Sequence, residues 1–393
     1  LGSVLISAPL VARYTVRRSV LGVRLRRRAP ASAFEGDTVR VALDLTNTSE
    51  TPLAFPQVGE IFWPEIHAQK RVVFAGRLDP RESVTLQYEG ICFLPRGVYR
   101  LGPAAVRVGD ALGWFEAQRW FEESEALKVY PKIHRLRTGD PAGDCVSWVE
   151  SDRPTRGLGE SEEFRGVREY RRGDSPRRIH WGLSARFGQP IVREFTRIAQ
   201  GELTVVLDRS SRARVGWGRS SSLEYQLKIA LSLVSVHLDR GRRGRIVMAD
   251  GDRAVELEAQ GRTDFPGLLD TLVDFRNGDS HAALPLLLER SAHHRGVIVV
   301  MVHPYLHDDT EFERRLVALE GSGRRVLAVL FEGPRLGEGR PDDEIASDSA
   351  YEVARRLESR GVGAFVVTCG DAIEAIFAPS VRSERSIVVE RGP

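Results

Sequence analysis

Three residues between Glu163 and Phe195 have the side chains of a serine hydrolase: Asp174, His180 and Ser184. In that chemistry the histidine accepts the proton of the serine hydroxyl, while the carboxylate orients the imidazole ring. Ser184, however, does not lie in a G-x-S-x-G turn, and no loop that could stabilise an oxyanion is visible. Three groups this close in sequence rarely converge from the separate directions that a triad needs. The sequence therefore predicts no catalytic residue in this stretch.

The same stretch has features of a nucleic-acid-binding segment. Nine arginines lie between Arg165 and Arg197, and Tyr170, Trp181 and Phe187 could stack on bases. Six acidic residues are interleaved between positions 160 and 194, which leaves little local excess of positive charge. The formal net charge of the whole chain is only +3. This balance favours a salt-bridged, folded segment, and we expect no nucleic-acid partner.

Turn residues in this stretch predict a folded connector. Gly173-Asp174 and Ser175-Pro176 are typical of a turn, and Pro176 is suited to begin a short helix. We expect Gly188 to end this helix, "PIVREF" to form a strand, and three side chains to anchor the helix: Ile179, Trp181 and Leu183. The planar, multi-donor head of arginine suits fixed pairing with carboxylates and carbonyls. The segment is thus predicted either to cement two domains or to present a docking surface.

Residues 21–130 show the alternation of a β-sandwich. In "TVRVALDLTN", Val39, Val41, Leu43 and Leu45 would share one face of a strand. Further short strands are predicted at "ESVTLQYEG", "GVYRLGPAAVRVGD" and "ALKVYP", with Gly, Pro, Asn and Asp between them, and a loop or edge hairpin at Ala111–Phe121. Many short strands without helical stretches are typical of an antiparallel sandwich or barrel.

The pattern changes at Gly201, where strands and helices begin to alternate. "ELTVVLDRS" is typical of a buried strand, and the following helix has a capping signal at Ser221 and Glu224 and a stop at Gly241. Alternating strands and helices predict a doubly wound α/β sheet that is mostly parallel and covered on both faces. We therefore predict four parts: residues 1–20, a membrane-proximal segment; 21–130, the sandwich; 131–200, the connector; and 201–393, the α/β domain.

Two predicted strand ends in the α/β domain have polar side chains, and ligands in such sheets bind at these ends. The "LDRSSR" stretch resembles the D-x-S-x-S metal-ion-dependent adhesion motif of von Willebrand factor A domains, whose implied Mg²⁺ ligands here are Asp208 and Ser210. The third position of that motif is Arg212, whose charge opposes a divalent ion. The second end contains His303 and His307, a spacing that binds zinc only on one helix face. Because Pro304 disfavours that arrangement, we expect both histidines at the solvent edge and Asp308 or Asp309 as the cap of the next helix.

The N-terminus has the pattern of a membrane boundary. The apolar stretch Leu1–Ala12 is too short to span a bilayer, and seven arginines follow between Arg13 and Arg28. Such a pattern is typical of a segment that leaves the membrane toward the cytoplasm, and the alternative is a strand or frayed terminus of a soluble protein. We expect the remnant of a transmembrane region, with soluble domains in the cytoplasm. Three widely spaced cysteines predict neither a disulfide framework nor a paired-cysteine zinc site.

The arginine-rich stretch resembles the signature of a bacterial family known only as domain of unknown function 58. The matching residues are Tyr170, Gly173, Asp174, Arg178, Ile179, Trp181, Ser184, Ala185, Arg186, Val192, Arg193, Glu194 and Phe195. A second stretch of the family pattern matches at Arg96, Gly97, Tyr99, Leu101, Gly102, Pro103, Asp110, Gly113 and Phe115. The resemblance implies a membrane-anchored chain with a β-rich domain and a von Willebrand factor A-like domain. It also implies a MoxR-type AAA+ ATPase as partner.

These observations predict a non-enzymatic, membrane-associated adaptor that works with such an ATPase in chaperone-like assembly or activation of other proteins. The expected docking residues are those of the signature: Tyr170, Gly173, Asp174, Arg178, Trp181, Ser184, Arg186, Arg193 and Glu194. One alternative is a Mg²⁺-dependent ligand-binding A-domain protein that uses Asp208 and Ser210. A second alternative is an uncharacterised enzyme.

Overall fold

A computed structural model describes the fold of most of the chain. The described residues are 2–66, 69–110, 112–136, 162–170, 179–197, 202–208, 218–250, 253–274, 283–294, 296–303, 306–307, 309–322, 324–332, 349–368 and 372–376. The chain forms two compact units, one of Leu1–Lys132 with Leu269–Phe275 and one of Ile133–Leu268 with Arg276–Pro393. The predicted four-part division of the chain stays a prediction.

The first unit begins with helix α1, Gly2–Leu21, and continues as strands. Its strands are β1 Val23–Arg28, β2 Ser32–Phe34, β3 Thr38–Asn47, β4 Leu53–Phe62, β5 Gln69–Val73, β6 Arg77–Leu78, β7 Ser83–Ile91, β8 Gly97–Gly109, β9 Glu116–Phe121 and β10 Glu125–Tyr130. One sheet has the order β1-β3-β7, and the other has the order β2-β10-β8-β4-β5, with β6 on β4 and β9 on β8. Among the described strands of this unit, only β2 and β10 pair in parallel. The predicted antiparallel architecture is confirmed.

Alternating side chains build the core between these two sheets. On β3, Val39, Val41, Leu43 and Leu45 are all buried, as their spacing predicts. They join residues of the second sheet, such as Val106 on β8, in a single apolar cluster. Burial of this kind contributes about 1.5–3 kcal/mol for each large side chain. The first unit is therefore a sandwich held by one core.

A charged group lies inside this sandwich. The Glu60 carboxylate is completely buried and accepts hydrogen bonds from the Arg27 guanidinium and the Tyr88 hydroxyl. Burial raises the pKa of Tyr88, and the neighbouring Glu60 charge raises it further. A buried carboxylate is tolerated only when its oxygens are paired, which these two donors achieve.

The hairpin that joins β8 and β9 contains the last three residues of the second stretch that matches the family pattern: Asp110, Gly113 and Phe115. The Asp110 carboxylate accepts a hydrogen bond of 2.7 Å from the backbone N–H of Phe115, and Gly113 adopts a positive φ of 73°. Hydrogen bonds from the backbone N–H groups of Phe115 and Leu112 hold the pKa of the Asp110 carboxyl below its usual value. Asp, Gly and an aromatic residue at this spacing thus form a turn, and glycine is favoured at the left-handed position. The predicted edge hairpin in this region is confirmed.

Helix α1 lies in the segment for which the sequence leaves two alternatives open. The alternatives are the end of a transmembrane helix and a strand or frayed terminus of a soluble protein, and the structure has a helix of 20 residues. Its last two turns bury Val16, Ser19 and Val20, and Val20 joins the sandwich core. In the part of the chain that the structure describes, no helix is long and apolar enough to cross a membrane.

The second unit alternates strands and helices. Its strands are β11 Glu162–Glu169, β12 Ile191–Arg197, β13 Leu203–Leu207, β14 Arg243–Asp250, β15 Arg253–Gln260, β16 Val297–Val302, β17 Arg325–Phe331 and β18 Gly363–Val367. Its helices are α2 Trp181–Phe187, α3 Ser222–Asp239, α4 Phe265–Val273 (shared with the first unit), α5 Ala283–Ser291, α6 Thr310–Gly321, α7 Ala350–Ser359 and α8 Ile373–Ile376. Strands β15-β14-β13-β16-β17-β18 form one sheet, in which only β15 runs antiparallel to its neighbour.

Helices cover both faces of this sheet, as the alternation predicts. Val247 on β14 belongs to an apolar cluster with Leu287 of α5, so this face is covered by that helix. Helix α3 covers the other face, where it lies so close to Gly244 that a Cβ at this position would be 2.8 Å from the Val234 side chain. The predicted capping signal of α3 is also confirmed, since the Ser221 hydroxyl accepts a hydrogen bond from the Glu224 backbone N–H. The central parallel strands β13 and β16 are accordingly buried along their whole length.

Candidate functional site

The signature residues lie on and around a hairpin of the second unit. Strands β11 and β12 pair antiparallel, with an irregularity in register between Phe164 and Gly166, and α2 precedes β12. The predicted strand "PIVREF" is confirmed, whereas β11 was not predicted. Among the proposed docking residues, Arg193 pairs with Val167 in the ladder and Glu194 pairs with Gly166. Gly173, Asp174 and Arg178 lie outside the described residues, as does the turn expected near Pro176. The expectation of one helical stretch from Pro176 to Gly188 is wrong, because Ile179 forms a β-bridge with Val192 and α2 begins only at Trp181.

His180 and Ser184 fasten helix α2 to strand β12. The Nδ1 atom of His180 accepts a hydrogen bond of 3.3 Å from the Leu183 N–H and so caps the helix. The Ser184 hydroxyl donates to the His180 carbonyl at 3.0 Å and accepts from the Ile191 N–H at 2.8 Å. Gly188 ends the helix in the left-handed conformation, as predicted. The two residues therefore have structural roles.

This bonding pattern is not that of a hydrolase. In a catalytic pair, the serine hydroxyl would donate to a histidine ring nitrogen. Here the Ser184 hydroxyl donates to a backbone carbonyl, and the ring nitrogen Nδ1 of His180 is used as a helix cap. Asp174, the third residue of the hydrolase pattern, lies outside the described residues.

Large apolar side chains on and beside the signature are exposed. The exposed fractions are 71% for Trp181, 61% for Phe187, 42% for Val167 and 38% for Tyr170. The expectation that Trp181 anchors the connector is wrong, because its ring faces solvent. Arg186, in the last turn of α2, is exposed as well. A group of solvent-facing aromatic side chains is unusual on a monomeric surface and is typical of a contact surface.

The second candidate site lies at the carboxyl ends of the two central strands of the large sheet. Asp208 follows β13, and His303 follows its neighbour β16. The chain continues from β13 to β14 on one side, and β16 lies on the other side. This arrangement is the topological switch point at which open α/β sheets bind ligands. Both side chains are fully or almost fully buried.

The end of β13 is held by a side chain of helix α3. The Gln226 amide accepts from the Asp208 N–H at 3.1 Å and donates to the Asp208 carbonyl at 2.8 Å. Gln226 is itself buried. Both backbone polar groups of Asp208 are thereby satisfied within the protein.

The imidazole ring of His303 is stacked in an apolar setting. It lies nearly parallel to the Phe331 ring, with the centroids 4.6 Å apart. Neither ring nitrogen has a hydrogen-bond partner in the structure as described. Burial lowers the pKa of His303 to about 4, although the negative charge of Asp208 acts in the opposite direction. His303 is therefore neutral at physiological pH.

The structure corrects one expectation about this edge and confirms another. His303 and His307 do not lie at the solvent edge, because both are buried. Asp309 does cap the next helix, since its carboxylate accepts a hydrogen bond of 3.0 Å from the Phe312 N–H. The sequence signal for the burial of His303 is its place directly after six apolar residues. The ring that stacks on it belongs to Phe331 on a different strand, so the sequence does not show this contact. Gln226 was likewise missed, since only the fold brings it to Asp208.

The described donor groups at this edge do not fit Mg²⁺. Asp208 supplies a carboxylate, but the neighbouring strand end supplies an imidazole ring, and Mg²⁺ prefers oxygen ligands. No group of three His, Cys, Asp or Glu side chains within the described ranges could hold a metal ion. Ser210, the other predicted ligand, lies outside those ranges.

Comparison with known proteins places a family match over both sites. Residues 166–338 match the family model described as Protein of unknown function DUF58, from within β11 to beyond β17. The uncharacterized protein YeaD of Bacillus subtilis (strain 168) is 28% identical over 183 residues, which are 45% of this chain and 45% of that protein. The chain thus aligns with less than half the length of this relative.

Two of the solved structures with local similarity are a CARDB domain and a cohesin module. The CARDB domain of a Pyrococcus furiosus protein is 13% identical, covers 28% of this chain and 94% of its own, and has a TM-score of 0.21. The cohesin module of a Clostridium perfringens family 33 glycoside hydrolase is 12% identical, covers 27% and 96%, and has a TM-score of 0.22. Similarities at these TM-scores support no statement about the function of this chain.

Proposed function

We propose that the protein is a non-enzymatic, membrane-associated adaptor that binds a MoxR-type AAA+ ATPase and supports chaperone-like assembly or activation of other proteins. The observation that carries the proposal is the exposure of Trp181 and Phe187 on helix α2. Exposed aromatic side chains lose water on binding, and tryptophan is enriched among the residues that dominate interface energies. We place the ATPase-docking surface on Trp181, Phe187, Tyr170 and Arg186.

The local geometry supports a surface that is formed before binding. Helix α2 is capped at both ends and fastened to β12 through Ser184, so Trp181 projects from a supported backbone. A preformed surface avoids part of the entropy cost of ordering a loop on association. We further propose that the large sheet is a von Willebrand factor A-like domain. The order of its strands around the switch point supports this assignment.

The test is a binding measurement between the purified chain and the MoxR-type ATPase of the same organism. Trp181→Ala is expected to weaken the dissociation constant at least about 30-fold, the effect of a hot-spot residue. Trp114→Ala is the matched control, because Trp114 is 63% exposed but lies in the first unit. Equal binding by the wild-type chain and Trp181→Ala would contradict the docking surface. No binding by the wild-type chain would contradict the partnership itself.

The signature arginines provide a second variant. Arg178→Ala with Arg186→Ala is expected to abolish ATPase binding while the fold persists, as measured by circular dichroism. Unchanged binding by this double variant would assign those arginines to internal pairing. Membrane association, with the soluble units in the cytoplasm, is part of the same proposal and is tested by fractionation of cells that express the chain.

A further inference from the structure

Helix α1 has two different faces in its described part. Val16, Ser19 and Val20 are buried in the first unit. The opposite face contains Leu10, Val11, Arg13, Tyr14, Arg17, Arg18 and Leu21, all of which are exposed. These positions recur at helical spacing, so they form one continuous surface about three turns long.

This exposed face, which we call the outer face of α1, is unusually apolar. The exposed fractions of Leu10, Val11, Tyr14 and Leu21 are 64%, 62%, 64% and 68%. Single exposed apolar residues are ordinary on a protein surface, but four of them on one helix face form a patch. The helix already buries its other face, so this patch is available to a partner.

The same face is strongly basic. Arg13, Arg17 and Arg18 alternate with the apolar residues, and the helix contains no acidic residue. No carboxylate within the described ranges lies at ion-pair distance from these three arginines; Arg18 donates only to the Tyr14 hydroxyl, at 3.3 Å. A surface with apolar side chains and unneutralised arginines is complementary to a phosphate-bearing surface with an apolar interior.

We infer that the outer face of α1 docks on a membrane leaflet that contains anionic phospholipids, with Arg13, Arg17 and Arg18 on the headgroup phosphates. This inference rests on the proposed membrane association and specifies the lipid chemistry that it uses. Leu10 and Val11 would enter the acyl boundary, and Tyr14 would occupy the interface, where its ring and hydroxyl meet matching surroundings. The helix would lie along the surface, as amphipathic interfacial helices do.

The experiment measures partition of the full chain onto vesicles by flotation. Vesicles of phosphatidylcholine alone are compared with vesicles that also contain phosphatidylglycerol, at low and high salt. Each arginine near an anionic surface contributes about fivefold to partition, so the variant Arg13→Gln/Arg17→Gln/Arg18→Gln should bind on the order of a hundredfold more weakly. High salt should weaken binding of the wild-type chain in the same direction.

A matched variant separates position from net charge. Arg40→Gln/Arg71→Gln/Arg77→Gln removes three exposed arginines of the same unit and should bind as tightly as the wild-type chain. Thermal melting of both variants checks that the fold is kept. The inference is overturned if the α1 variant binds anionic vesicles as tightly as the wild-type chain.

The comparison of neutral with anionic vesicles also distinguishes this inference from the proposed function. Equal binding to neutral and anionic vesicles overturns the headgroup specificity and leaves membrane association intact. No binding to either vesicle overturns the inference together with the membrane association. The ATPase partnership is tested separately through Trp181 and does not depend on either result.

Discussion

The buried imidazole of His303 should make the stability of the second unit depend on pH. In the folded protein the pKa of His303 is lowered from 6.5 to about 4, mainly by burial. The unfolded chain therefore takes up a proton before the folded chain does. The free energy of unfolding is therefore unaffected by this group above pH 6.5, and it decreases as the pH falls from 6.5 toward 4.

The size of the effect follows from these two pKa values. The full difference corresponds to about 3 kcal/mol, and the part that is lost between pH 7.5 and pH 5 is about 2 kcal/mol. The nearby carboxylate of Asp208 is included in the folded value, since it partly offsets the effect of burial. Because the protein is expected to be only about 5–15 kcal/mol stable, such a loss is measurable.

Urea denaturation of the wild-type chain and of His303→Phe at pH 7.5 and pH 5 measures this contribution. Phenylalanine keeps a ring against Phe331 and cannot be protonated. Any packing cost of the new ring is the same at both pH values, so it cancels when the two pH values are compared. We expect wild type to lose about 2 kcal/mol more than His303→Phe between pH 7.5 and pH 5. Equal losses for the two proteins would refute the assignment of a neutral, buried His303.

Three further changes follow from the structure. Trp181→Ala should cost less than about 2 kcal/mol of unfolding free energy, because less than a third of its surface is buried; a loss above 3 kcal/mol in a denaturant titration would mean that the ring is packed. Glu60→Gln should cost about 3–5 kcal/mol, because it removes the buried counter-charge of Arg27 and leaves only the half-exposed carboxylate of Glu125, at 3.9 Å. The double variant Arg27→Met/Glu60→Leu should recover much of this loss in thermal melting. Ser184→Ala should cost about 1–2 kcal/mol and speed hydrogen exchange at the Ile191 amide, and unchanged exchange there would contradict the fastening role of Ser184.

Much of the secondary structure could be predicted because many elements of both units follow simple periodicities. The alternation in "TVRVALDLTN" places its apolar residues on one face, and the structure buries that face as β3. The capping signal at Ser221 and the stop at Gly241 bracket α3 within two residues. Strand alternation and helix capping depend on residues that are close in sequence, so both can be predicted from the sequence alone.

The candidate sites could be predicted only in part, because they depend on neighbours in space. Asp208 is marked by its place at the end of an apolar strand, but the ring that covers His303 comes from Phe331, on the next strand of the sheet. Trp181 was expected to be an anchor because tryptophan is usually well buried. Whether a short helix turns such a ring inward or outward depends on how it is fastened, and here that depends on the pairing of Ser184 with Ile191.

The double hydrogen bond between Gln226 and Asp208 has a consequence for motion at the switch point. One amide side chain ties strand β13 to helix α3 across 18 residues of chain, so that the strand end and the helix must move as a single body. At the end of β16, the His303 carbonyl accepts a hydrogen bond of 3.0 Å from the backbone N–H of Leu306, three residues along the same chain, and not from a helix of the sheet's cover. If a ligand or partner shifts this edge of the sheet, the displacement should therefore occur at the β16 end, and the amide of Asp208 should remain among the slowest to exchange.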